Sequence, residues 1–155
     1  MPKASGIPIK FRQGESNGII GSLVAERPRV RPHAGTTLKL GNATIFNEPL
    51  PLHLISSGVS SGARVARIEI KVSQSKDNIH SLKGLHLRLL SEGEKRASKN
   101  GCGFVWARER PDNAGAIESF KSLGWNYLGV QTVEPAEGNI GGNFFVYGKN
   151  LESKR

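Results

Sequence analysis

The stretch ARVARIEIKV, residues 63–72, constrains the fold more than any other part of the chain. Its apolar and charged side chains alternate, with Ala66, Ile68, Ile70 and Val72 on one face and Arg67, Glu69 and Lys71 on the other. A period of two residues is that of a β-strand with one buried face. The stretch therefore predicts a strand, and it is the clearest strand pattern in the chain.

Residues 82–99 have the period of a helix instead. Apolar residues recur there at steps of three and four, at Leu82, Leu85, Leu89, Leu90 and Ala97. Lys95, Arg96 and Lys99 crowd the last turn, where cations suit the helix dipole, and Asn100-Gly101 is a typical helix end. A strand followed by an amphipathic helix indicates an α/β domain.

The alternation continues towards the C-terminus. CGFVWAR predicts a strand, and Pro111-Asp112 opens a second helix that Gly124 ends. Trp125 is expected to pack back on the last turn of that helix, as a residue after a glycine C-cap often does. Residues 125–133 and 143–149 predict two further strands.

The N-terminal part is less regular. Residues 1–36 contain proline, glycine and arginine without a sustained period, which indicates a basic arm or a loose edge next to a domain spanning 37–155. Within 37–55, TTLKLGNATIF and LPLHLI both predict short strands. No internal repeat is visible.

Composition limits the functional classes. A chain of 155 residues is long enough for one core, and a single cysteine, Cys102, rules out an internal disulfide. No apolar run is long enough to span a bilayer and no secretory signal is visible, so we expect a cytoplasmic protein without a membrane partner. The net charge of +9 favours an anionic partner. The histidines are too scattered to suggest a metal site.

The start of the 82–99 helix is a candidate anion site. A helix N-terminus presents unpaired N–H groups and a partial positive charge, both of which favour a phosphate. Gly84 permits close approach of the backbone, and Lys76 and Lys83 add positive charge. The same residues also fit an ordinary core helix with solvated lysines.

Several motifs together resemble the GCN5-related N-acetyltransferases (GNAT). The order is an alternating strand, a glycine-bearing loop into a helix, a second strand, and a second helix that closes on an aromatic residue. The residues that carry the likeness are Asn113, Ala116, Phe120 and Leu123-Gly124-Trp125, with FFVYGKNL resembling the last strand of the family. The resemblance covers about residues 64–151. It implies a mixed, mostly antiparallel central sheet with helices on both faces, and an acyltransferase that uses acetyl-CoA or another acyl-CoA.

The resemblance also implies residue roles. The backbone of Ile70, Lys71 and Val72 would pair with the amides of pantetheine. The pyrophosphate would lie on N–H groups of the loop and helix start, at Lys83, Gly84, Leu85, His86 and Leu87. Asn113 would contact the cofactor arm and Phe120 would face the cofactor.

This chain departs from the family at several points. Phe120 stands where a tyrosine usually protonates the departing thiolate, and a phenyl ring has no proton to donate. Water can supply that proton instead, since a thiol with a pKa near 8.5 is a tolerable leaving group. The loop motif lacks its usual leading Gln or Arg, and the two N-terminal substrate-binding helices are not readable in residues 1–60.

Transfer to an amine requires a group that accepts the amine's proton. Glu69 is the only acid near the predicted cofactor strand, although a solvated carboxylate between Arg67 and Lys71 is an equally good interpretation. His86 could act as a base or bind a phosphate, or could be a packing residue. Cys102 is expected to be a small buried hydrophobe rather than a nucleophile.

Three functions therefore remain open from the sequence. The first is an N-acyltransferase acting on an amine-bearing small molecule or protein. The second is a basic module that binds nucleic acid through KFRQ and RPRVRP, and the third is a GNAT-like protein that binds the cofactor with little catalysis. A homodimer is compatible with all three.

Overall fold

The computed structural model describes residues 7–14, 18–28, 37–54, 63–72, 84–138 and 140–151. Seven strands form one sheet: β1 (Ile9–Gln13), β2 (Ile19–Pro28), β3 (Thr37–Asn47), β4 (Val65–Val72), β5 (Phe104–Glu109), β6 (Asn126–Val133) and β7 (Gly142–Asn150). Two α-helices, α1 (Leu85–Lys99) and α2 (Ala114–Ser122), follow β4 and β5. The predicted alternation of strands and helices after residue 64 is confirmed.

The sheet is mixed, in the order β1-β2-β3-β4-β5-β7-β6. Every neighbouring pair is antiparallel except β4 and β5, which are parallel and joined through α1. The mostly antiparallel α/β class expected from the sequence is therefore confirmed. Neither described helix is long and apolar enough to cross a bilayer.

The two faces of the sheet carry different layers. The helix face is the one with Ala66, Ile68, Val105, Ala107 and Tyr147, and buried residues of both α-helices join its cluster. The opposite face carries Phe104, Trp106 and Val146, which pack with Leu50 and Leu54. Within the described ranges, the one helical segment that packs on this second face is a 3₁₀ turn at Leu52–Leu54.

The N-terminal strands correct one expectation. Residues 9–13 and 19–28 are not a loose arm, because β1 pairs with β2 as the edge strand of the sheet, β2 pairs with β3 with two register shifts, and Leu23 and Ala25 are buried. Lys10 of the basic KFRQ segment lies in β1, within 3.7 Å of Glu26. Most of RPRVRP lies outside the described residues.

Two further expectations change in detail. LPLHLI contains a 3₁₀ turn rather than a strand, because prolines 49 and 51 lack the N–H that a ladder needs and Leu54 N–H bonds the carbonyl of Pro51. The first helix begins at Leu85 rather than at residue 82, after Gly84 in the left-handed region at φ 85°.

Close contact at a glycine positions α1 on the sheet. A Cβ atom at Gly93 would lie 3.1 Å from Cδ1 of Ile68 in β4. We expect Gly93→Leu to destabilise the protein by about 1–3 kcal/mol through overpacking. Gly115→Ala, where the added atom meets nothing within 4 Å, is the matched control and should be neutral or stabilising. Urea unfolding tests this, and equal midpoints for the two variants would contradict the packing argument.

Candidate cofactor cleft and reaction site

The parallel pairing of β4 with β5 is short and leaves a gap within the sheet. It covers Val65 to Arg67 opposite Phe104 to Trp106. Beyond it, β4 continues to Val72 paired only with β3, and β5 continues to Glu109 paired only with β7. We call this gap, between residues 68–72 and 107–109, the β4–β5 opening. In the described part of the chain, the backbone groups on the facing edges of both strands have no partner strand there.

A cleft of about 510 Å³ adjoins the opening on the helix face. This helix-side cleft is lined by Ile70, Lys71, Val72, Gly84, His86, Glu109, Asn113, Gly115, Ala116 and Ser119. It brings together the end of β4, the start of α1 and the start of α2. Of the residues that the sequence singled out, Ile70, Lys71, Val72, Gly84, His86 and Asn113 line it.

The first turn of α1 presents backbone donors at the cleft. The N–H of Arg88 bonds the carbonyl of Gly84 at 3.0 Å, which is the first bond of the helix. The N–H groups of Leu85, His86 and Leu87 lie in the first turn, where no carbonyl of the same helix is available to accept a hydrogen bond. Leu85 contributes backbone only, because its side chain is fully buried. Lys76 and Lys83 lie outside the described residues.

Asn113 is the N-cap of α2. Its Oδ1 accepts a hydrogen bond from the N–H of Ala116 at 3.3 Å, and its Nδ2 donates to Oε1 of Glu109 at 3.1 Å. The backbone N–H of Arg110 donates to the same oxygen of Glu109 at 3.1 Å. Two donors therefore hold the carboxylate, and the carboxylate in turn fixes the amide of Asn113.

Glu109 is a site residue that sequence reasoning missed. Burial raises the pKa of its carboxyl group, and the hydrogen bonds from Asn113 and Arg110 only partly oppose this effect. Continuing the alternation of β5 from Val105 and Ala107 places Glu109 on the helix face, just before the asparagine cap. That register was the signal available in the sequence.

Glu69 lies on the opposite face from the cleft. Its Oε2 accepts from Nη1 of Arg67 at 3.2 Å, and Nζ of Lys71 is 3.9 Å from Oε1. Arg67 is 7% exposed, donates from Nε to Glu48 at 3.0 Å and lies 4.2 Å above the ring of Phe46. Two carboxylates, Glu109 and Glu69, therefore flank the opening from its two sides.

Phe120 lies in the core and is not among the residues that line the cleft. Its ring packs against His86, Trp125 and Tyr147, with centroid distances of 5.8, 5.3 and 5.1 Å. His86, which contacts this ring, does line the cleft. The predicted packing of Trp125 is confirmed, because its N–H bonds the carbonyl of Phe120 after Gly124 at φ 80° and its indole N–H donates to Glu94.

His86 is half-buried in this site, with its Nδ1 atom buried. Desolvation lowers its pKa from 6.5 to about 4, and Nδ1 has no hydrogen-bond partner within the described residues. Lys71 and Glu109 line the same cleft. Cys102, expected to be a buried hydrophobe, is buried, and burial raises the pKa of its thiol.

The lowered pKa of His86 predicts acid sensitivity. The unfolded chain binds a proton on His86 more tightly than the folded chain does. The neutral imidazole therefore makes its full contribution to the free energy of unfolding above about pH 6.5, and this contribution is lost as the pH falls towards 4. The loss amounts to about 3 kcal/mol. We expect His86→Gln to flatten the dependence of unfolding free energy on pH over this range. Parallel curves for the native protein and His86→Gln would contradict this assignment.

Comparison with known proteins gives structural neighbours only. No protein-family model and no curated protein matches the sequence. yncA from Salmonella typhimurium, a proposed acetyltransferase solved with acetyl-CoA, superposes with a TM-score of 0.55 at 16% identity, over 86% of this chain and 66% of its own.

Two further solved structures superpose on this chain with similar TM-scores. An acetyltransferase of the GNAT family from Streptococcus pneumoniae has a TM-score of 0.57 at 15% identity, over 90% of this chain and 71% of its own. The ribosomal-protein-S18-alanine N-acetyltransferase from Escherichia coli has a TM-score of 0.55 at 16% identity, over 91% and 74%. The chain spans about two thirds to three quarters of the length of these structures. Its seven-stranded sheet and two α-helices have the fold of the GNAT acetyltransferases.

Proposed function

We propose that this protein is an acyl-CoA-dependent N-acyltransferase, with acetyl-CoA as the first donor to test and an amine as acceptor. The observation that carries the proposal is the β4–β5 opening, which faces the first turns of both α-helices. An amide-bearing arm can pair with a free strand edge, and a phosphate can bind to a helix N-terminus. Acyl-CoA has both groups in one molecule.

The residues of the helix-side cleft suit such a ligand. Gly84 has no side chain to block a phosphate, and the backbone of β4 at Ile70 to Val72 borders the same cleft. Nδ1 of His86 is a buried polar atom that lacks a partner within the described residues, as is common where a ligand completes a site. The volume of about 510 Å³ fits part of an acyl-CoA and leaves the remainder outside the protein.

Each group then has a role. The backbone of Ile70 to Val72 binds the pantetheine amides, the N–H groups of residues 83–87 hold the pyrophosphate, and Asn113 contacts the arm. Bound acetyl-CoA supplies an activated thioester. Phe120 has no proton to donate, so water protonates the sulfur.

We assign acceptance of the amine's proton to Glu69. It lies on the face from which an acceptor can approach the opening, since both α-helices pack on the other face. Glu109 lies among the residues of the helix-side cleft, and we assign it the positioning of Asn113.

Binding of the donor is tested by thermal shift with acetyl-CoA, CoA and longer acyl-CoAs. At about 100 times the dissociation constant, a ligand stabilises the fold by roughly 2.7 kcal/mol. No shift at millimolar acyl-CoA would remove the proposal. Gly84→Asp should weaken binding at least about tenfold, because its charge lies where the phosphate binds.

Gly101→Asp is the matched control for that variant. Gly101 also has φ 85° and follows the other end of α1, so the backbone strain is the same but the charge is remote from the cleft. We expect its melting temperature to fall as much as that of Gly84→Asp while its affinity for acetyl-CoA stays unchanged. Equal affinities for the two variants would place the phosphate elsewhere.

The two carboxylates are distinguished by comparing Glu69→Gln with Glu109→Gln. Loss of the base should lower kcat by about 10²- to 10⁴-fold in Glu69→Gln with unchanged affinity for acetyl-CoA. Glu109→Gln should mainly weaken acetyl-CoA binding, because a neutral amide oxygen accepts the hydrogen bond from Asn113 less strongly than a carboxylate does. Release of free CoA and a binding titration measure both effects. A large loss of kcat with intact binding in Glu109→Gln alone would assign the base to Glu109.

A further inference from the structure

We infer that the acceptor is an amino acid, whose carboxylate binds Arg108 on the face of the sheet opposite the helices. This inference rests on the proposed function, because it names the substrate class of the same site. It follows from the placement of Arg108, from its lack of a carboxylate partner among the residues that the structure describes, and from the position of Glu69.

Arg108 lies on the same face of the sheet as Glu69. Arg67 pairs with Trp106 across the parallel ladder, and two residues further along each strand are Glu69 and Arg108. The alternation of side chains therefore places both on the face opposite the helices, at the β4–β5 opening. Their neighbours Ile70 and Glu109 line the helix-side cleft, so on each strand successive residues lie on the two sides of the opening.

The charges on this face are unevenly paired. Arg67 holds both nearby carboxylates, those of Glu48 and Glu69. Arg108 is half-buried, and its hydrogen bond among the described side chains goes to the neutral amide of Gln131, with Nη1 to Oε1 at 3.1 Å. A partly desolvated guanidinium is normally paired with an acid.

The surroundings of Arg108 favour an added anion. Burial lowers the pKa of its guanidinium, and the charge of Arg67 acts in the same direction, whereas Glu48 and Glu69 act against it. An anionic group on the acceptor would stabilise the charged guanidinium of Arg108 against both burial and the charge of Arg67. The other cations on this face have partners: Arg67 and Lys71 lie beside Glu69. Arg110 donates Nη2 to the carbonyl of Gly141 at 3.0 Å and lies 4.8 Å from the ring of Phe144.

A carboxylate fits this place better than a phosphate. A single guanidinium offers the planar pair of donors that a carboxylate accepts. Glu69 on the same face would repel a dianion but attracts an ammonium group. An acceptor that carries an ammonium and one carboxylate close together therefore matches Glu69 and Arg108 at once.

The transfer step balances with these groups. The ammonium gives one proton to Glu69, and the freed electron pair of nitrogen forms the C–N bond while the C–S bond of the thioester breaks. The second nitrogen proton passes through water to the thiolate sulfur, and Glu69 releases its proton to solvent. The products are an N-acyl amino acid, CoA and one proton.

The test compares amino acids with the amines that lack only the carboxylate. L-leucine is paired with isoamylamine and L-phenylalanine with phenethylamine, with acetyl-CoA as donor and CoA release as readout. We expect kcat/KM to be at least about tenfold higher for each amino acid, the effect of a charge-assisted contact. Arg108→Gln should remove that preference.

A second measurement does not depend on turnover. Amino acids at about ten millimolar should raise the melting temperature of the CoA-saturated native protein and not that of Arg108→Gln. Arg96→Gln is the control, because Arg96 stacks over Phe11 at 4.4 Å near the far end of α1 and should leave both results unchanged.

Three outcomes would overturn the inference. They are equal rates within the matched pairs, an unchanged preference in Arg108→Gln, and a higher rate for O-phosphoethanolamine than for the amino acids. Acetyl-CoA binding without binding or acetylation of any amino acid would also overturn it and leave the donor site standing. Absence of acetyl-CoA binding would instead remove the proposed function.

Discussion

The length of the β4–β5 ladder controls the candidate site. Its last pair, Arg67 opposite Trp106, is held from one face, because the indole N–H of Trp106 donates to the carbonyl of Glu48 at 3.0 Å and Glu48 also accepts from Arg67. This contact joins β4, β5 and the segment after β3. Past it the two strands separate. The strand residues that were assigned a role all follow this last pair; they are Glu69 and Ile70 to Val72 on β4, and Arg108 and Glu109 on β5.

The helix layer places the donors against the opening. Gly93 lets α1 approach β4, and at Gly41 of β3 an added Cβ would lie 3.3 Å from side-chain atoms of Leu85 and Leu89. The small residues therefore bring the start of α1 close to the sheet beside the free edge of β4. On the other side, the bond between Asn113 and Glu109 joins the start of α2 to the end of β5.

The sequence predicted most of the elements after residue 64, because there the hydrophobic period is regular and each helix has its own end signals. β1 and β2 were missed, since proline, glycine and arginine interrupt the pattern and these strands depend on pairing with each other and with β3 and on burial in the common core. Asn113 was found as a helix cap. Glu109 was not, because its burial depends on two helices that approach it from elsewhere in the chain. The point at which β4 and β5 separate is a tertiary property that no local pattern records.

The opening is an edge of β-sheet enclosed within the molecule. Free strand edges on a protein surface invite pairing with other chains and are usually protected by charge or by short length. Here the free edges of β4 and β5 face each other beneath two helices, so another protein's strand with bulky side chains has little room to add to them. Paired strands in a sheet lie about 4.8 Å apart, so an extended backbone that adds to a free edge takes up about this width. The fold thus keeps unpaired amide groups in the middle of its sheet without the aggregation hazard that they would create at its rim.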